Sequence, residues 1–332
     1  MVPDVDLHLG TRHWDHVVPI ALGDVPAPGV RLSRLDMTPD LWSEPGYAAA
    51  ETSFSRYVRA RADGDDRVVG LPVFLMRGFR HRCILVRRDS AAERPEDLVG
   101  TRIGLTGWPD SGNTWTRAVL REAGVGVDDA QWRVGPLTAA HPAVDRIGGV
   151  RVGPNVRPTD GGAALVDLLE TGELDAVMTP FMPPGFHRTG SPLRTLFRDP
   201  RDAEQRWFAT HGFVPGIHLL GVRADVLARE PGLAQELVDL FEAAKRVSAA
   251  RRTKLVDVSP WLNEEVAATT RVFGSDWMPY GWTPNRRMVA AFQEELVAQR
   301  LLTAPVPDTE LFPFPLDPAP QYDVVEDTAW TA

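Results

Sequence analysis

A chain of 332 residues exceeds one ordinary domain and suits two, each able to bury its own core. Its 36 Lys plus Arg against 45 Asp plus Glu give a net charge of −9, which offers no electrostatic footprint for a nucleic-acid backbone or an anionic membrane surface. The single cysteine, Cys83, excludes an internal disulfide and a cysteine-based zinc site.

The chain opens Met1-Val2-Pro3-Asp4-Val5-Asp6, without the cationic and apolar stretches of a secretory leader, so a cytoplasmic location is expected. Residues 68–75 and 83–86 are short apolar runs rich in branched side chains and read as buried strands. Between them lies the polar turn Arg77-Gly78-Phe79-Arg80-His81-Arg82. Residues 94–106 read as a one-turn helix, a tight turn and a new strand. Residues 114–124 place Trp115, Ala118 and Val119 on one helical face and close on Gly124, with the capping types Ser111, Gly112 and Asn113 just before. Residues 163–169 form a helix, and 172–180 a turn leading into a strand. Such alternation predicts an α/β fold with mostly parallel sheets.

The charge-poor run from Trp207 to Val222 is too short and too polar for a membrane span, and its end, 217–222, reads as another apolar strand. From Pro231 a long helix carries Leu233, Leu237, Leu240, Phe241, Ala244 and Val247 at three- and four-residue steps. A last helix starts at Asn285 and buries Met288, Val289, Phe292 and Leu296. Beyond Leu302 the text is rich in Pro and Asp and is expected to build no regular element. No internal repeat, Gly-rich phosphate loop, Rossmann fingerprint or Gly-x-Ser-x-Gly elbow is present. The spacing of His8, His13 and His16 fits no zinc template, although a divalent cation held by His and carboxylates from both lobes stays open.

Several phrases in order along the chain resemble the 4,5-dihydroxyphthalate decarboxylase family. The specific ones are Phe79-Arg80-His81 and Pro279-Tyr280-Gly281 with Asn285-Arg286; Trp14-Asp15-His16, Glu51-Thr52-Ser53-Phe54-Ser55-Arg56-Tyr57 and Asn113-Thr114-Trp115-Thr116-Arg117 accompany them. Gly172-Glu173-Leu174-Asp175-Ala176 is shared with solute-binding proteins at large and speaks to the fold alone. The chain departs from the family pattern between Asp36 and Glu51 and in residues 106–112.

The resemblance implies a two-lobed scaffold like that of type II periplasmic binding proteins, with two inter-lobe crossings. Lobe one is expected from 1–88 and 214–332, with a Pro-rich tail from about 303, and lobe two from 89–213. It also implies a decarboxylase acting on a small hydroxylated aromatic carboxylic acid. The alternative is a non-catalytic solute-binding protein for an anionic small molecule. A small carboxylate ligand is the expected partner; nucleic acid and membrane are not, and a homo-oligomer stays open.

Removing CO2 from such a ring needs a clamp for the spectator carboxylate, an acid for the ring carbon and a dry pocket, while the ring hydroxyls supply the electrons, so no organic cofactor is expected. His81 is the candidate acid, because imidazole titrates near neutrality and the turn should face the cleft; packing beside a strand is its bland alternative. Arg80 is a candidate carboxylate fork, or part of a basic edge with its Arg neighbours. Glu51, at a strand end, is the candidate partner for His81 or for a ring hydroxyl, and Ser53 lies beside it. Asn113 and Thr114, with Ser111, form a candidate anion site at a helix start, or an ordinary cap. Trp108 is a candidate stacking surface, and His218, Tyr280 and Arg286 are further candidate ligand contacts.

Overall fold

The computed structural model describes residues 7–142, 144–254 and 259–320. The readings made at residues 1–6 and in the tail at 321–332 lie outside the described residues. Eleven strands are described: β1 (Leu7–Thr11), β2 (Val30–Arg34), β3 (Ala49–Ser53), β4 (Val68–Arg77), β5 (Ile84–Arg87), β6 (Arg102–Leu105), β7 (Gln131–Val134), β8 (Val156–Pro158), β9 (Ala176–Met178), β10 (Leu193–Thr195) and β11 (Gly216–Arg223). They form two sheets, ordered β2-β1-β3-β11-β4 and β10-β5-β9-β6-β7-β8.

The parallel ladders β2/β1/β3 and β9/β6/β7/β8 are the cores of the two sheets. Every antiparallel pairing among the described residues involves β5 or β11, the strands that follow the two crossings. This is a two-lobed α/β fold, and the passage between lobes comes earlier than the boundary at 88. β5 pairs with β9 and β10 in the second sheet, so the chain crosses between Arg77 and Ile84 and returns between β10 and β11. The cause is burial. Ile84, Leu85 and Val86 are all inaccessible, a strand covered on both faces within the second sheet.

The helix Ser111–Glu122 is a wedge between the lobes. Ten of its twelve residues are buried, because it packs on the helices Phe54–Ala62 and Arg286–Ala298 as well as on its own sheet. Trp115 Nε1 donates to Gly216 O across the junction at 2.8 Å, and the indole packs against Phe292 and Phe213. One apolar cluster runs from Phe54 and Phe74 through Trp115 to Trp132. The lobes therefore share a core rather than meeting through a bare linker.

The tail corrects the expectation of an irregular end. Asp308–Leu311 is a helical turn following Pro307, and Leu311 and Phe312 are buried against Tyr57, Phe54, Phe74 and Trp282. Tyr57 donates its hydroxyl to the Leu311 carbonyl, and Asp317 accepts from the Thr283 N–H at 2.9 Å. Two apolar side chains are enough to override the Pro-rich composition. Among the described residues no helix is long and apolar enough to cross a membrane.

Candidate active site

The carboxyl ends of β1, β3, β6 and β9 point toward the junction of the lobes, as do the amino ends of the helices Phe54–Ala62 and Ser111–Glu122. On the first sheet the antiparallel register sets His218 opposite Ser53, two residues along β3 from Glu51 and on the same face. Glu51 is completely buried. Its Oε2 accepts from the Arg12 N–H at 2.9 Å and Trp14 Nε1 at 2.8 Å, and its Oε1 lies 2.6 Å from His218 Nδ1.

Burial pushes the Glu51 carboxyl up, but the bonds from His218, Arg12 and Trp14 outweigh it and hold the group below its ordinary range. Ionised Glu51 can only accept. Nδ1 of His218 therefore carries the proton it donates, and Nε2 is left to face outward from a side chain 13% exposed. This is a histidine oriented by a buried carboxylate, the arrangement that fixes a tautomer and the ring's orientation.

Ser53 and Ser111 meet across the lobes with hydroxyls 2.9 Å apart. Ser111 Oγ also accepts from the Ser55 N–H at 2.9 Å, so a residue of the second lobe caps the Phe54–Ala62 helix of the first, whose own Ser53 makes no cap bond. Asn113 Nδ2 donates to Gly107 O at 2.8 Å, and Thr114 Oγ1 donates to Asp110 O at 3.1 Å. Both side chains are buried and donate to backbone at the lip of β6, with Asn113 Oδ1 left without a partner, so a ligand's carboxylate would reach this turn through its backbone N–H groups.

The remaining candidates are placed elsewhere. Arg80 is 2% exposed, donates to Thr116 Oγ1 at 3.2 Å and lies behind Gly112 with Nη2 sealed from water. Its charge reinforces the helix start from beneath; the guanidinium offers no open fork. His81 does not present an imidazolium near neutrality. It is buried edge-on to Phe197 with Nδ1 unpartnered, and burial, assisted by Arg206 and His211, lowers its pKa to about 4.

Trp108 is turned into the second lobe, under the Arg117 guanidinium at 4.3 Å and edge-on to Trp132. Tyr280 is buried in the first-lobe core beneath Lys245, and burial raises its hydroxyl well above the usual range. Arg286 is exposed and paired with Asp308 at 3.4 Å. The Pro279–Asn285 phrase is architectural, since Asn285 accepts from Arg77 and donates to Pro279 O and Gly281 O.

Residues not singled out from sequence complete the site. Arg12 is half-buried, 6.0 Å from the Phe181 ring of the opposite lobe, and makes no ion pair among the described residues. Asp110, just before the Ser111 helix, is exposed to water. The three early histidines diverge to separate partners, His8 to Ser33, His13 to Asp36 and His16 to Asp15. Among the described residues no group of three or more His, Cys, Asp or Glu is arranged to hold a metal ion.

Two α/β lobes with an oriented histidine at their junction define a protein of the type II periplasmic-binding-protein scaffold. Among solved structures, the periplasmic aliphatic sulphonate binding protein SsuA of Escherichia coli matches with a TM-score of 0.58 and 14% identity, over 96% of this chain and 95% of that one. The desulfurization enzyme DszB matches with a TM-score of 0.53 and 17% identity, over 92% of this chain and 96% of its own. No family model matches the chain.

The curated relatives are more specific. The 4,5-dihydroxyphthalate decarboxylase of Comamonas testosteroni is 30% identical over 324 residues, 93% of this chain and 96% of that protein. The protein of the same name from Pseudomonas putida is 28% identical over 213 residues, 61% of this chain and 81% of its own. The chain belongs to the 4,5-dihydroxyphthalate decarboxylase family.

Proposed function

We propose that this protein decarboxylates a small hydroxylated aromatic carboxylic acid bound between its lobes, with His218 as the proton donor. The observation that carries the reading is the 2.6 Å bond from His218 Nδ1 to a fully buried carboxylate, with Nε2 making no hydrogen bond among the described residues on a partly exposed side chain. A positioned proton donor contributes about 10²–10⁴-fold in rate. The curated relatives, both named for this activity, support the substrate class.

In this reading Arg12 and the backbone N–H groups of the Ser111–Glu122 helix hold the spectator carboxylate, with the Arg80 charge behind that helix adding to its dipole. Trp14, which donates to Glu51, and Phe181, beside Arg12, border the ring. Glu51 keeps the imidazole in one tautomer and stabilises it while protonated. The ring hydroxyl supplies the electrons, so the step as proposed calls on no organic cofactor.

The test is release of CO2 from 4,5-dihydroxyphthalate and a panel of dihydroxybenzoic acids. Turnover of at least one member is expected. Tight binding of the panel without CO2 release would instead assign the cleft to capture of an anionic solute.

A further inference from the structure

Asp110 occupies the position before the Ser111–Glu122 helix where an aspartate ordinarily accepts a bond from the first turn, yet its side chain makes no cap bond. The carboxylate is turned back against Gly107, where any Cβ would collide with it. Its one nearby donor is Asn113 Nδ2 at a long 3.5 Å, and among the described residues no cation approaches it to ion-pair distance. It is exposed to water, but protein crowds it enough that desolvation raises its pKa against the pull of Arg117, His218, Arg146 and Arg80. The result is an under-bonded carboxylate beside Ser111, the residue that meets Ser53 across the lobes, and within the field of the histidine proposed as acid.

We infer that Asp110 receives a ring hydroxyl of the substrate and takes its proton as His218 protonates the ring carbon. The inference rests on the decarboxylase reading. The balance is as follows: Nε2–H of the imidazolium forms the new C–H bond, and the hydroxyl proton moves to Asp110 as that oxygen becomes a carbonyl. The C–CO2 bond then breaks, its electron pair restores the aromatic ring, and Asp110 returns the proton to the oxygen. Solvent reprotonates His218. One carboxylate and one proton become CO2 and a C–H bond, with no oxidant or reductant required.

Calorimetric binding of 4,5-dihydroxyphthalate against phthalate, which keeps both carboxylates and lacks the hydroxyls, tests the contact apart from the chemistry. The intact protein should prefer the dihydroxy ring by roughly tenfold or more, the strength of a hydrogen bond to a charged acceptor, and Asp110→Asn should erase the preference while phthalate binding persists. Asp110→Asn should melt no lower than the unsubstituted protein, because the residue is exposed and its carboxylate makes no cap bond and no ion pair among the described residues, so loss of preference is not loss of fold. An intact protein without the preference, or Asp110→Asn retaining it, overturns the inference. CO2 release by the intact protein is measured in parallel. A hydroxyl preference that depends on Asp110 without any CO2 release would sink the decarboxylase reading and the proton-transfer half of this proposal together.

Discussion

At the residue scale two histidines sit in environments of opposite character. His218 has a carboxylate at 2.6 Å, whereas His81 is buried with none, and the contrast gives a pH prediction. The folded pKa of His81 is depressed from 6.5 to about 4, so the neutral form it needs contributes stability in full above pH 6.5, and that stability is lost as pH falls toward 4. By linkage the loss approaches about 3 kcal/mol, reckoned at 1.36 kcal/mol per unit. Urea unfolding of the protein and of His81→Phe across this range should show the difference, with the wild type losing stability in acid more steeply. NMR titration should find one imidazole unchanged from pH 8 down to about 5.5.

Glu51 gives the complementary case, since its carboxyl is held down and its contribution is present above the ordinary 4.5 and lost as pH falls through the folded value. Glu51→Gln keeps the shape but turns an amide toward the Arg12 N–H, Trp14 and His218 donors. A cost of about 1–3 kcal/mol at neutral pH is expected from those stranded donors, shrinking in acid where the wild-type carboxyl is itself protonated. A cost unchanged between neutral and acid pH would mean that Glu51 is not ionised in the fold.

At the element scale the junction depends on one hydroxyl shared between lobes. Ser111→Ala removes the cap of the Phe54–Ala62 helix and the contact to Ser53 at once, and should lower stability by about 0.5–2 kcal/mol. Helices with clean periodicity were legible in the sequence: the face made by Trp115, Ala118 and Val119 is buried, and so is that of Met288, Val289, Phe292 and Leu296. The Pro200–His211 helix was not, because its carboxyl half was read as part of the charge-poor run that continues into β11. Its start is nevertheless written in residues, with Asp199 accepting from the Asp202 N–H and Pro200 at the first position.

The site divides in the same way. Glu51, Ser53, Ser111 and His218 were on the page because strand ends and helix starts are readable. Arg12 and Asp110 were not, because their roles come from what they lack, an ion-pair partner and a cap bond, and only three-dimensional placement shows a missing partner. Arg286 and Trp108 drew notice through motif text and ring type, and their side chains turn to the surface and to the core.

At the scale of the whole molecule the shared core couples the tail to the scaffold. Phe312→Ala removes a ring buried among Phe54, Tyr57, Phe74 and Trp282 and should cost about 3–5 kcal/mol, read by chemical denaturation. A cost confined to a few tenths would mean that the tail only drapes the surface.

The α/β class was legible from the alternation of elements and the two-lobed scaffold from the family resemblance, while the early crossing before β5 was not, because an apolar strand covered on both faces reads the same in either sheet. The assignment of the acid to His218 decides what this scaffold does at its junction. It is tested most directly by turnover of 4,5-dihydroxyphthalate in D2O, with deuterium at the vacated ring carbon followed by NMR for the wild type, His218→Asn and His81→Asn. Deuterated product is expected from the wild type, with a rate lower by about 10²-fold or more for His218→Asn and near wild-type turnover for His81→Asn. Full turnover by His218→Asn, with loss in His81→Asn, would contradict that assignment.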